Sequence, residues 1–291
     1  MPTPIGARVQ SFYNKTPFPD FDLKRFPTRE ALQAASYPFS RALDASIPLD
    51  AAIIDVGAGT GQLAALLALS RKDVWGIDFS DSSLAKAKAL KQQLALDPLT
   101  FRKVDLLNEE EIRAIGKTFD YVLCLGVLHH TADPRKAFHN MCCLVRPGGY
   151  IAVGLYNTYG RFFHKMRMLL ARTLFKNNTI VRDRFIRIQI GDVEDKERAR
   201  GWWNDQYLHP HESTHTVGEV IRWFYEENIE YISTLPPLSS FDYTHADVTG
   251  LWNAAFEKRP GLFRRFRKQF LWVFTTHRDG GYWVTFGRRK I

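Results

Sequence analysis

The sequence predicts a doubly wound α/β fold, a mostly parallel sheet with helices on both faces. Three observations predict it. Between residues 51 and 157, apolar runs of strand length alternate with helical runs, the pattern of successive βαβ units. The first apolar run ends in a glycine-rich turn, Asp55-Val56-Gly57-Ala58-Gly59-Thr60-Gly61, as expected where a strand passes into a helix beside a ligand crevice. An acidic residue also closes each of the first three strands: Asp55, Asp78 and Asp105.

In chain order, residues 1–50 are rich in proline and aromatics, which predicts an irregular N-terminal cap with short helices. The core, 51–157, has strands at 51–56, 74–79, 100–106, 119–125 and 150–155, with helices at 62–71, 81–94, 109–115 and 134–144. Ser80 is a fitting N-cap for the second of these helices, because its hydroxyl accepts from an orphan N–H of the first turn. Pro147-Gly148-Gly149 predicts a sharp turn into the fifth strand.

After Asn157 the pattern changes. Residues 158–215 read as an inserted helical lid. In 160–190, Arg161, Lys165, Arg167, Arg172 and Lys176 interleave with phenylalanine, leucine and methionine, which predicts one amphipathic helix. The charged stretch 191–201 predicts a surface loop or a short exposed helix. Residues 216–291 complete the sheet, with a helix over 217–228, a strand over 229–235 and a last strand over 281–287. A basic insertion at 236–279 is hard to read, but within it Lys258, Arg259, Arg264, Arg265, Arg267 and Lys268 interleave with Phe263, Phe266 and Phe270, which suits either a nucleic-acid surface or an amphipathic helix at a membrane surface.

Composition narrows the function classes. The 291 residues carry three cysteines, Cys124, Cys142 and Cys143, in no C-x-x-C spacing, so reduced thiols are expected. No signal-peptide pattern opens the chain. No apolar run approaches the ~20 residues of a membrane span. A cytoplasmic protein is therefore expected, with membrane-surface contact left open. The net charge of +9 is uneven: residues 158–291 hold 22 Lys/Arg against 15 Asp/Glu, and the remainder is close to neutral. Such asymmetry suits an anionic partner or a solvated basic face.

The glycine spacing separates two cofactor classes. A dinucleotide site needs G-x-G-x-x-G, and the third position here is Gln62. Asp55 would repel a pyrophosphate, whereas it suits a ligand with an amino group or a sulfonium. Asp78 stands where an acid accepts from ribose hydroxyls, and Phe79 offers a face for adenine. Asp105 can accept from an exocyclic amine.

These residues resemble the first motifs of class I S-adenosylmethionine-dependent methyltransferases. The likeness extends to Phe119–Asp120 through His129-His130 as the fourth strand and its loop, and to Leu144 through Tyr150 as the entry to the fifth strand. Val127-Leu128-His129-His130, followed by Asp133-Pro134, is most similar to the branch that includes the ubiquinone-biosynthesis methyltransferases. The resemblance implies a seven-stranded Rossmann-like sheet whose last strand is antiparallel, with S-adenosylmethionine as cofactor. It implies cofactor contacts from Asp55, Gly57, Ala58, Gly59, Gly61, Asp78, Phe79, Asp105, Leu106 and Leu125.

Beyond the cofactor, methyl transfer needs alignment and in some cases a base. His130, and after it His129, are the candidate bases, at the mouth of the crevice. Tyr13, Tyr156, Asn157, Arg161 and His209 are the candidate acceptor contacts. His211-Glu212-Ser213-Thr214-His215 matches the zinc-protease spacing. However, Thr216-Val217-Gly218-Glu219 predicts a capping box that starts a helix after it, so the histidines would not share a helix face and no metal is expected.

The favoured reading is a methyltransferase acting on a small-molecule acceptor, anionic or lipophilic. A second reading is an RNA or protein methyltransferase using the basic C-terminal region. Nucleic acid is not favoured, because the fourth strand lacks the Asn-Pro-Pro-Tyr loop of base-flipping enzymes. A third is a catalytically silent cofactor-binding regulator.

Overall fold

The computed structural model describes residues 4–173, 179–190, 196–238, 251–252, 261–276 and 281–291. Its strands are β1 (Ile53–Val56), β2 (Val74–Asp78), β3 (Leu99–Lys103), β4 (Phe119–Leu125), β5 (Val145–Tyr156), β6 (Ile229–Leu235) and β7 (Tyr282–Arg289). They form one seven-stranded sheet in the order β3-β2-β1-β4-β5-β7-β6. Strands β1 to β5 pair in parallel, and β7 runs antiparallel to both β5 and β6. The strand order reverses between β1 and β4, and that switch opens a crevice at the strands' carboxyl ends.

The helices are α1 (Pro4–Lys15), α2 (Arg29–Ala35), α3 (Pro38–Ser46), α4 (Gln62–Leu67), α5 (Asp81–Gln93), α6 (Glu109–Arg113), α7 (Pro134–Cys142), α8 (Phe162–Thr173), α9 (Thr179–Ile190), α10 (Lys196–Trp203), α11 (Val217–Glu226) and α12 (Leu262–Thr275). Alternation along the strands sends side chains into two layers. From β4, Phe119, Val122 and Cys124 join Phe138 of α7, Phe224 of α11 and Trp272 of α12. Tyr121 and Leu123 point the other way, to Leu32 of α2, Leu43 of α3, Ala64 of α4 and Leu90 of α5. The central β1 is buried throughout, as a parallel strand covered on both faces requires.

Local chemistry explains the helix starts. The Ser80 side chain accepts from Ser83 N to cap α5. Asp133 caps α7 with Pro134 at its first position, where a missing N–H costs nothing. The capping box of Thr216 and Glu219 opens α11, so His211 and His215 precede that helix as the sequence predicts.

Several sequence expectations change. The first core helix stops at Leu67 rather than 71. Buried Arg71 turns back instead, donating to the carbonyls of Asp44 and Ile47 at 2.6 and 2.7 Å and pairing with the Asp44 carboxylate. Residues 29–46 pack on the core through Leu32 and Leu43, and residues 36–40 line the crevice together with α1. Pro147-Gly148-Gly149 lies inside β5 as an irregularity, since the β4–β5 register shifts between Phe119 and Tyr121. Of the single helix expected over 160–190, the described parts are α8 and α9, while 174–178 lie outside the described residues; of 191–201, residues 196–201 belong to α10 and 191–195 lie outside the described residues. The basic insertion at 236–279 holds α12. Of that region, 239–250, 253–260 and 277–280 lie outside the described residues. Among the described residues no helix is long and apolar enough to cross a membrane.

Candidate active site

A cavity of about 1760 Å³ occupies the crevice. It exceeds the ~300–1,000 Å³ of an ordinary small-molecule site, so it has room for two partners side by side. One end is built from the β1–α4 turn. There Gly59 takes φ +54, and a Cβ on it would lie 2.4 Å from the Phe18 carbonyl oxygen. Only glycine lets the cap segment approach so closely. The carboxylate of Asp78 joins the turn to the end of β2, because its Oδ2 accepts from Gly59 N at 2.9 Å and its Oδ1 from Ser80 N at 2.8 Å. Asp55 is buried in the same wall. Burial, then the neighbouring Asp78 charge, pushes its carboxyl up to about 7. Burial likewise raises Asp78.

Helix α1 lies over this end. Gln10 donates to the Phe79 carbonyl at 3.0 Å, and Ser82 donates to the Tyr13 carbonyl at 2.9 Å. Thr60 donates to the Pro19 carbonyl at 2.7 Å. The other end is a polar network set in aromatic walls. The Tyr13 hydroxyl donates to Asp205 at 3.0 Å. The Gln206 amide donates to Asp205 at 2.9 Å and to the Tyr156 hydroxyl at 2.7 Å. Asp205 and Gln206 sit on a π-helical turn, Asn204–Leu208, and both line the cavity with Tyr13, His130, Tyr156 and Tyr282. Tyr282 fits because Gly154 has no side chain: a Cβ there would meet its hydroxyl oxygen at 1.9 Å.

His130 is buried, and its Nδ1 lies 3.1 Å from the His211 carbonyl oxygen. A carbonyl only accepts, so Nδ1 carries the proton and Nε2 keeps its lone pair. Burial drives the imidazole down to about 4, which leaves it neutral at pH 7 with its Nε2 lone pair unprotonated. The ring packs 3.8 Å from that of His209 and 4.2 Å from that of His129, centroid to centroid. A pocket with a deep glycine turn, buried carboxylates and a neutral histidine in an aromatic wall has the parts for alignment and proton removal.

Comparison with known proteins decides the family. The model of a methyltransferase domain matches residues 49–206, more than half of the chain. The chain belongs to the class I S-adenosylmethionine-dependent methyltransferases. This methyltransferase is 36% identical over 107 residues to the ubiquinone biosynthesis O-methyltransferase of Alkalilimnicola ehrlichii, a match covering 36% of this chain and 41% of that protein. It is 23% identical over 258 residues to an uncharacterized protein of Synechococcus, covering 80% of this chain and 60% of that one. The chain thus spans about 41% and 60% of the length of these two curated relatives. Among solved structures, PKMT2 of Rickettsia typhi in complex with AdoHcy superposes with a TM-score of 0.57 at 15% identity, over 87% of this chain and 53% of that one.

The methyltransferase's cavity takes in most of the residues that the sequence singles out. Asp55, Gly57, Ala58, Gly59, Asp78, Phe79, Asp105, Leu106, Leu125, Tyr13, Tyr156 and His130 all line it. Gly61 does not; it starts α4 and packs on Phe101 and Ala87. Four others form a layer behind the wall. His129 is fully buried, with neither ring nitrogen hydrogen-bonded, and burial holds it well below the usual histidine value. His209 packs on His130, and burial takes it down to about 3. Asn157 accepts from Tyr159 N and Gly160 N and donates to Gln269. Arg161 is fully buried, bonded to Glu212 at 3.0 and 2.5 Å and to Gln206 at 3.0 Å. Its charge is neutralised there, so it is not an anion site open to the cavity.

Asp205, Gln206 and Tyr282 escaped the sequence reading. Tyr282 had a signal, since it opens a strand that pairs it directly with Tyr156. Asp205 and Gln206 had only their place in an aromatic run, Trp202 to Tyr207.

Proposed function

We propose that this methyltransferase acts on an oxygen or nitrogen of a small acceptor that is uncharged or cationic and has an aromatic or lipophilic body. The observation that carries the reading is His130: a neutral imidazole, its Nε2 lone pair fixed by the Nδ1 bond to His211, in the same cavity as the glycine turn and Asp78. An acceptor hydroxyl or amine that loses a proton on methylation needs such a base within reach.

The wall chemistry argues against an anionic acceptor. Among the described lining residues Asp55, Asp78, Asp105, Glu109, Glu110, Glu111, Asp133 and Asp205 face Lys103, Arg113 and Lys136. Each of those three bases is already paired, Lys103 with Asp81 and the other two with Glu109. None of the described basic residues of α8 or α12 lines the cavity, so the basic C-terminal charge does not support a polyanionic acceptor.

The residues fit the cofactor. Asp78 keeps lone pairs for ribose hydroxyls beyond its two backbone bonds. Phe79 and Leu106 suit the flanks of an adenine, and Asp105 retains acceptor capacity for its amine while one oxygen takes Leu107 N. Asp55, raised by burial, is stabilised as the anion by an ammonium or sulfonium. When bound, S-adenosylmethionine supplies an electrophilic methyl whose bond to sulfur breaks as the acceptor's lone pair takes it. Tyr13, Tyr156 and Gln206 orient the acceptor, and His130 Nε2 takes its proton.

Calorimetric titration with S-adenosylmethionine and its demethylated product tests the cofactor half. Saturable binding is expected, weakened at least about tenfold in Asp78→Ala, since hydrogen bonds to a charged acceptor contribute ~1.5–3 kcal/mol each. The pH dependence follows from Asp55. Below pH 7 the free carboxyl is protonated and must release that proton to pair with a cation. Affinity should therefore fall as pH drops below 7, by up to about tenfold per unit. A flat profile from pH 6 to 8 would remove Asp55 from cation binding, and unchanged binding in Asp78→Ala would remove Asp78 from the ribose. A panel of phenols and amines set against carboxylates and phosphates tests the acceptor class: turnover confined to the anions overturns it.

A further inference from the structure

We propose that the paired helices α8 and α12 form a docking face for an anionic lipid surface. The orientation of α12 is fixed from its inner side. Trp272 is buried, and the Gln269 side-chain oxygen accepts from Val217 N at 2.8 Å and from Asn157 Nδ2 at 2.9 Å. The opposite stripe therefore faces outward, and it is apolar. Phe263, Phe266, Phe270 and Phe274 recur at helical spacing and are 80%, 54%, 51% and 57% exposed.

The stripe does not end at α12. Ring centroids run in contact from Phe266 to Phe270 at 6.4 Å, on to Phe274 at 6.2 Å, then to Phe163 of α8 at 6.1 Å and Phe162 at 5.5 Å. Phe162 is 53% exposed. A continuous aromatic patch of this kind is not left to water in a soluble chain without a reason.

Charge selects the occupant. Neither α8 nor α12 carries an acid; Arg172 of α8 turns inward to the Tyr207 and His209 carbonyls and Lys268 of α12 is buried, while Lys165 of α8 is exposed. Arg264 and Arg267 are exposed beside the phenylalanines. Within these two helices the apolar stripe is flanked by cations and by no acid, which matches a bilayer interface, where rings enter the acyl boundary and cations meet anionic headgroups. At 14 residues, or about 21 Å, α12 is too short to cross a bilayer and would lie along it. This placement is independent of the acceptor proposed above.

Flotation of the full chain with vesicles is the test. Phosphatidylcholine alone is compared with phosphatidylcholine containing about one-third phosphatidylglycerol, at low and at high salt. The wild type should favour the anionic vesicles about tenfold or more, with binding reduced by salt. Phe263→Ser/Phe270→Ser should lose about tenfold or more, and Arg264→Glu/Arg267→Glu should lose the preference for anionic lipid. Both variants should keep the wild-type melting temperature and S-adenosylmethionine isotherm. Failure of the wild type to float with anionic vesicles overturns the proposal. Equal flotation of the Phe263→Ser/Phe270→Ser variant does the same. A dimer in sedimentation equilibrium that this variant abolishes, with no vesicle binding, makes the face a self-interface instead. Oligonucleotide capture without vesicle binding makes it a nucleic-acid surface.

Discussion

Replacing His130 with Gln is expected to lower kcat about 10²–10⁴-fold for a hydroxyl or amine acceptor, with the S-adenosylmethionine isotherm unchanged. The magnitude is that of a positioned general base. The geometry sets the rest of the expectation. Nδ1 is committed to the His211 carbonyl at 3.1 Å, so the proton from the acceptor has one destination on the ring, Nε2. Glutamine keeps a donor for that carbonyl but offers no base of comparable strength.

The pH profile separates this role from a structural one. Burial pushes His130 down to about 4, with the nearby Arg161 charge acting in the same direction and the Glu212 charge against it. The base is the neutral form, so at saturating cofactor the rate should hold as pH falls through 6.5 and drop only as it approaches about 4. A limb near 6.5 would mean that the base is a hydrated histidine elsewhere. His129→Phe is the control. That ring lies behind the wall and contacts His130 and Tyr156 at 4.2 Å each, so kcat should stay within about tenfold. A loss in His129→Phe equal to that in His130→Gln would assign both rings to packing.

What the sequence discloses about this site follows the reach of each interaction. The glycine turn, Asp55 and Asp78 are legible because their geometry is local: strand, turn and helix lie within one short run of chain, and the acid of the next strand pairs back onto it. His130 is legible for the same reason, since it lies on the short turn, Leu128–His130, that follows the end of β4 at Leu125. Arg161 reads as a free cation because its partner, Glu212, is 51 positions away, and nothing in a single sequence pairs them. Asp205 and Gln206 are hidden by their π-helical turn, which no periodicity marks. Helix α12 shows in the sequence only as phenylalanines interleaved with basic residues, without a settled face, because its amphipathicity is inverted. Its outward stripe is phenylalanine, while Lys268 and Gln269 are on the buried side, so an ordinary hydrophobic-inside rule assigns it no face.

The buried pair behind the acceptor wall carries the largest expected effect on stability. Arg161 is fully buried and Glu212 nearly so, with two hydrogen bonds between them and the guanidinium carbon 3.5 Å from the Tyr156 ring centroid. Removing one partner leaves the other charge without its counter-ion in a dry site, which costs about 3–5 kcal/mol. Arg161→Leu and Glu212→Leu should each lose that much in urea unfolding, and the double variant should lose clearly less than the two together. The sign of the pH dependence is fixed by Glu212. Burial raises its carboxyl, but the Arg161 charge and hydrogen bonds outweigh that and hold it below its ordinary 4.5. The pair's contribution is therefore full above 4.5 and lost as pH falls through the lower value of the folded state. The gap between wild type and Glu212→Leu should narrow only in strong acid. Arg161 also donates to Gln206, which in turn holds Tyr156 and Asp205, so both single variants should raise KM for the acceptor while leaving cofactor affinity in place. Singles within about 1 kcal/mol of wild type would place the two charges in water, and the acceptor wall would then have to be held by Gln206 alone.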